Sequence, residues 1–185
     1  MNTLVVGLVI FYAIHCIPNI GNTRARLIGV MGEKGYMPFY ALLSLLGMVL
    51  LVQGKGQAEF IELWQPPVWG RHITHGLMLL SMACFAAIFL PTNIKRKLHH
   101  PMLAFVAFWG LAHLSANGDL ASVLLFGSFF VFAIFKTVSL TRRKPPQAKP
   151  AVAVSRDILW LIVTAVIYGG GLYLHPYISG GFVLL

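Results

Sequence analysis

Charged residues divide this chain into long uncharged stretches. Residues 1–23, 35–54 and 72–93 contain no Asp, Glu, Lys or Arg. Residues 101–118 and 120–135 are also uncharged and are separated by Asp119 alone; nothing charged follows Asp157. A helix needs about 20 largely apolar residues to cross the hydrocarbon of a bilayer. The pattern therefore predicts an all-α, polytopic membrane protein with six transmembrane helices in one bundle and one domain. The predicted helices run at about 2–20, 36–54, 72–91, 101–117, 119–139 and 157–176, with a linker at 141–154. Asn117-Gly118-Asp119 reads as the turn between the fourth and fifth helices, with Asp119 suited to an N-cap. Gly32-Glu33 reads as a loop turn, and Gly169-Gly170-Gly171 as a site of close helix packing.

Composition agrees. The chain is 58% hydrophobic and 10% charged, whereas a soluble domain is nearer ~45–50% apolar and ~25% charged. This excludes an ordinary soluble enzyme, a disordered segment and a disulfide scaffold. Cys16 and Cys84 form no C-x-x-C pair, which excludes a cysteine zinc knuckle and a c-type haem attachment signature. The formal charge of +9 would suggest nucleic acid in a soluble protein. Here twelve of the fourteen basic residues fall between helices one and two, between three and four, or around the link between five and six, and only Lys55 and Arg71 fall on the other side. The positive-inside rule makes the basic side cytoplasmic and puts both termini on the outer, periplasmic side. The N-terminal stretch lacks a basic n-region and a small-residue cleavage site, so the first helix reads as retained. The linker, with Pro145, Pro146 and Pro150, reads as a basic cytoplasmic segment suited to phosphate or lipid headgroups. Phe60, Trp64 and Trp69 suit an interfacial segment on the outer face.

Candidate chemistry rests on seven histidines. Ionisable side chains within a membrane are costly and mark candidate functional sites. His99 and His100 lie at the cytoplasmic mouth of helix four, His72 and His75 at the outer end of helix three, and His175 near the outer end of helix six. His15 and His113 are the deepest. Neutral imidazole ligates iron, and a haem requires one or two axial ligands in an apolar slot. The bland alternative is a histidine hydrogen-bonded within the bundle. Residue counting separates His15 and His113 by about 10 Å in depth at ~1.5 Å per residue; depth alone pairs His75 with His113.

His15 with Arg24, Arg26 and Gly32-Glu33, the stretch from Tyr36 to Gly47, His100-Pro101, the run from Trp109 through His113, Asn117 and Asp119 to Ser122, and His175-Pro176 together resemble the NnrU family of bacterial integral membrane proteins. The resemblance spans essentially the whole chain. It implies a multi-pass protein of the bacterial inner membrane, associated with denitrification. The family in turn is similar to the 15-cis-ζ-carotene isomerases, which are membrane haem-b enzymes. That similarity implies haem b held by His15 and His113 as metal ligands, in place of the depth-based pairing. His100, His175, Arg24, Asn117 and Asp119 are carried as further cofactor-site candidates, with Arg24, Arg26 or Arg71 neutralising the propionates. The isomerases have a cysteine three residues before the second histidine; Gly110 stands there in this chain, so no thiolate alternative is implied.

The leading expectation is thus a redox-linked haem-b membrane protein, serving denitrification or isomerising a hydrophobic polyene-like small molecule. Whether it is an enzyme is left open. One alternative is a non-catalytic assembly partner of respiratory reductase subunits. The other is a small transporter, disfavoured by the scarcity of intramembrane carboxylates. No soluble domain, internal repeat or nucleic-acid partner is expected.

Overall fold

The computed structural model describes residues 1–143, 147, 149 and 150–179. Among them every regular element is helical, and β pairing is limited to an isolated bridge between Glu62 and Asp119. Six helices follow in order: α1 Asn2–Cys16, α2 Thr23–Gly56, α3 Gly70–Phe89, α4 Pro101–Ala116, α5 Leu120–Arg143 and α6 Val154–Ser179. Five spans are long and apolar enough to cross a membrane, α1 only together with the 3-10 turn that follows it, as Asn2–Asn19. The sixth, α4, is apolar but has 16 residues. At 1.5 Å per residue it spans about 24 Å, short of the ~30 Å hydrocarbon.

The boundaries correct several expectations. Helix α1 ends at Cys16, and Pro18 lies in a following 3-10 turn, Ile17–Asn19. The stretch with Arg24, Arg26 and Lys34, expected as a loop, is helical. Gly32 is not a loop turn but a break inside α2, with φ 70° and ψ 164°. That left-handed φ is accessible to glycine at little steric cost. Helix α5 contains a π turn, Val123–Gly127. The linker expected at 141–154 is shortened at both ends by α5 and α6, and Lys144, Pro145, Pro146 and Ala148 lie outside the described residues.

The chain divides into two compact units. Unit 1 is Met1–Glu62 with Asp119–Ala121; unit 2 is Leu63–Gly118 with Ser122–Leu185. In unit 1, α1 lies antiparallel on α2, and glycines set the separation. A Cβ on Gly7 would come within 2.8 Å of the Leu51 nitrogen, one on Gly47 within 3.0 Å of Phe11, and one on Gly54 would run into the Leu4 backbone. Small residues let membrane helices approach this closely. Leu4, Leu8, Phe11, Ile14 and Leu51 fill the seam. The same unit holds an ion pair: Lys55 donates to the Asp119 carboxylate at 2.9 Å, with the Asp119 side chain 6% exposed. Asp119, expected as an N-cap, thus also neutralises Lys55.

In unit 2, α3 packs on α4 through polar ties. The Ser81 hydroxyl donates to the Phe105 carbonyl at 2.9 Å, and the Thr74 hydroxyl to the Ala112 carbonyl at 3.2 Å. Trp160 of α6 donates its indole N–H to the Ala83 carbonyl at 2.8 Å. Gly118 fits against Trp64, whose carbonyl a Cβ would overlap. Leu63 and Trp64 both donate backbone N–H groups to the Gly118 carbonyl. The three consecutive glycines of α6 were expected as packing sites, but among the described residues a Cβ on Gly169, Gly170 or Gly171 meets nothing within 4 Å.

Candidate functional site

His15 and His113, expected from sequence to be the deepest histidines, each lie in the last turn of their helix, α1 and α4, and are built alike. His15 Nδ1–H donates to the Phe11 carbonyl, four residues back, at 2.7 Å. His113 Nδ1–H donates to the Trp109 carbonyl, also four residues back, at 2.8 Å. A carbonyl only accepts, so both bonds put the proton on Nδ1, and in the neutral ring the lone pair is on Nε2. Metal-bound histidines show this arrangement: one nitrogen tied to a carbonyl, the other presented as ligand.

Each ring also lies among aromatics of its own unit. His15 stacks on Phe11, with ring centroids 4.1 Å apart and planes at 24°, and Tyr40 of α2 is 5.3 Å away. Tyr40 neighbours buried Tyr36 at 6.1 Å, and the Arg24 guanidinium sits 5.7 Å above the Tyr36 ring. Twelve residues of continuous helix would separate Arg24 and Tyr36 by about 18 Å. The break at Gly32 folds the Thr23–Met31 arm back and brings Arg24 into this aromatic row.

His113 stacks on Phe126, with centroids 4.4 Å apart and planes at 23°, and Trp109 lies 5.0 Å away. Phe126 sits in the π turn, a feature frequent at functional sites because the extra residue re-aims the helix face. Gly110 permits this approach, since a Cβ there would come to 2.7 Å from the Phe126 carbonyl oxygen. Glycine at that position is therefore a packing requirement, and a cysteine would clash. His175 is brought to the same place: its ring centroid is 6.3 Å from that of His113, planes at 27°.

The remaining candidates separate. Asn117 donates its side-chain N–H to the His113 carbonyl at 2.8 Å and closes the end of α4. His100 precedes Pro101 at the start of α4, and its Nε2 is buried with no hydrogen-bond partner. His75 lies level with His113, as the Thr74–Ala112 bond requires, but its Nδ1 shares a 2.8 Å hydrogen bond with the Tyr168 hydroxyl. Arg26, Arg71, His72 and His99 are exposed. Among the described residues no three His, Cys, Asp or Glu side chains converge to hold a bare metal ion. A haem iron needs only one or two protein ligands, and the Nε2 atoms of His15 and His113 have the chemistry for that role. Trp109 stood in the motif quoted with His113; Phe11 was not singled out from sequence, although an aromatic residue four positions before each of the two histidines was a readable signal.

Comparison with protein families matches the NnrU protein model over residues 3–181. The chain belongs to the NnrU family. Comparison with curated proteins and with solved structures gives no match. Both aromatic–histidine sites, the Arg24 arm, Asn117 and His175 lie inside the NnrU match.

Proposed function

We propose that this NnrU protein is a haem-b-binding, redox-active protein of the bacterial cytoplasmic membrane that supports nitrogen-oxide respiration. His113 and His15 would each be able to hold the haem iron through Nε2. The observation that carries this reading is the shared geometry: two imidazoles on apolar helices, each with Nδ1–H anchored on the carbonyl of an aromatic residue four positions back. When bound, the haem supplies one-electron redox chemistry. The Phe11 and Trp109 carbonyls hold the tautomer and ring direction. The Phe126 face covers one side of His113, and apolar helices exclude water. Arg24, on its folded arm, supplies positive charge for a propionate. Gly110 favours the respiratory role over isomerisation, because the cysteine of the isomerases has neither a counterpart nor space here. The twelve basic residues clustered at alternate helix ends support a cytoplasmic location for those ends, with both termini outside.

His175 is the second reading for a residue that would hold the haem beside His113, favoured by its stacked position 6.3 Å away. Absorption spectra and iron analysis of purified protein test both readings. A Soret band that shifts on reduction is expected. His113→Ala should abolish it, His15→Ala or His175→Ala should convert it to a five-coordinate spectrum, and His99→Ala should leave it unchanged. Iron-free protein, or an unaltered spectrum in the His15→Ala/His113→Ala double variant, overturns the assignment.

A further inference from the structure

Unit 2 carries ten Lys and Arg residues and a single acid, Asp157. That acid is engaged. Its carboxylate accepts from the Thr92 hydroxyl at 2.6 Å, the Asn93 backbone N–H at 2.8 Å and the Asn93 side-chain N–H at 2.7 Å. Asn93 also grips the segment before α6: its side chain donates to the Val152 carbonyl at 2.9 Å and accepts from the Val152 N–H at 3.0 Å. This clasp holds Lys149, three residues earlier, against the turn Asn93–Arg96. Lys95 is turned away, donating to the Ile88 carbonyl at 3.1 Å. Desolvation and the Lys149 charge together hold the Lys95 amine below its ordinary pKa. What remains is a cleft of about 420 Å³ lined by Asn93, Arg96, Lys97 and Lys149. Its three cations pair with no carboxylate among the described residues; the ion pair found there is Lys55–Asp119. The volume falls in the range of small-ligand sites.

We propose that this cleft binds a phosphate group, on an anionic lipid or a soluble phosphate compound, with Arg96, Lys97 and Lys149 as its ligands. The guanidinium of Arg96 suits two phosphate oxygens at once, and the two ammonium groups add point charges. The clasp matters because it pre-positions Lys149, which otherwise sits on a Pro-flanked segment. The proposal does not depend on haem binding.

The test has two arms on the full-length protein in neutral detergent. One measures retention of phosphatidylglycerol against phosphatidylcholine by native mass spectrometry. The other measures thermal stabilisation by inorganic phosphate and glycerol 3-phosphate. Each cation near an anionic surface contributes about 1 kcal/mol, or about fivefold. Lys149→Gln should therefore weaken binding about fivefold, and Arg96→Gln/Lys97→Gln about 25-fold. The charge-matched control Arg26→Gln/Lys34→Gln should bind like the parent. An effect confined to the lipid arm identifies a headgroup site, and one confined to the soluble arm a phosphate-compound site. Should the double variant fail to fold, Lys149→Gln decides alone, because Lys149 lies outside every helix. Equal binding by parent, Lys149→Gln and control in both arms overturns the proposal.

Discussion

Gly47→Ala tests the link between helix packing and the His15 environment. A Cβ at position 47 would lie 3.0 Å from the Phe11 nitrogen and Cβ and 3.1 Å from its Cα. Ordinary contact begins near 3.4 Å, so α1 must retreat by roughly 0.4 Å at Phe11. Overpacking of this kind costs about 1–3 kcal/mol. Alanine returns about 1 kcal/mol through its better helix propensity, leaving a net loss near 1 kcal/mol, or about fivefold in the folding equilibrium. Gly54→Ala should lose more, because its Cβ meets the Leu4 backbone, which cannot rotate away as a side chain can. Gly169→Ala has open space and should be neutral or stabilising by up to about 1 kcal/mol. Reversible denaturation in mixed micelles would rank the three variants. Since Phe11 both stacks on His15 and accepts its Nδ1–H, Gly47→Ala should also perturb the His15 ring, seen as an imidazole NMR shift. A stabilised Gly54→Ala, or a Gly169→Ala more damaging than Gly47→Ala, would refute the glycine-seam account.

Lys55→Met should destabilise more than Asp119→Asn, because it leaves a carboxylate that is 6% exposed without its cation. Fully buried pairs lose about 3–5 kcal/mol; with the Lys55 side chain 32% exposed, a loss of about 1–3 kcal/mol is expected in the same unfolding assay. Asp157→Ala should release the segment at Val152 and expose the linker to protease, whereas Asp157→Asn keeps part of the clasp and should be cut more slowly. His75→Phe and Tyr168→Phe should each cost about 1 kcal/mol, and the double variant should cost clearly less than their sum if their hydrogen bond is the shared interaction. In a Cys16→Ser/Cys84→Ser background, Glu59→Cys should react with an impermeant thiol reagent on intact cells, and Lys149→Cys only after permeabilisation; the opposite result reverses the proposed orientation.

The all-helical, apolar architecture was legible in the uncharged windows; six helices were expected to span, and five spans are long and apolar enough. Boundaries were less legible. Arg24, Arg26 and Lys34 look like a loop by charge, yet a helical arm carries them, because exposed charged residues have good helix propensity and Gly32 supplies the turn-back by itself. Position 118 was recognised as special, but as turn chemistry; its role is space beside Trp64. The His113 environment was half legible. The Trp109 partner follows from i, i+4 helix geometry. Phe126 depends on a π turn and His175 on packing 62 positions along the chain, and neither leaves a local signal. The Asn93–Asp157 clasp, with partners 64 residues apart, is invisible for the same reason.

The way polar groups are satisfied explains how histidine persists in so apolar a chain. Ser44, Thr137 and Thr164 each donate to the carbonyl four residues back in their own helix. No partner helix is needed, so the cost of a polar group in hydrocarbon is met locally. His15 and His113 use the same device, but an imidazole has two nitrogens and the i−4 bond occupies only Nδ1. An imidazole therefore carries a second nitrogen that a hydroxyl lacks. Under the proposed haem role the ring, stacked on Phe11 in one unit and on Phe126 in the other, would act through Nε2, beyond its local helix bond. His113→Thr separates the two roles: it keeps a donor to the Trp109 carbonyl and removes Nε2, so fold stability should survive while any iron-dependent spectrum is lost.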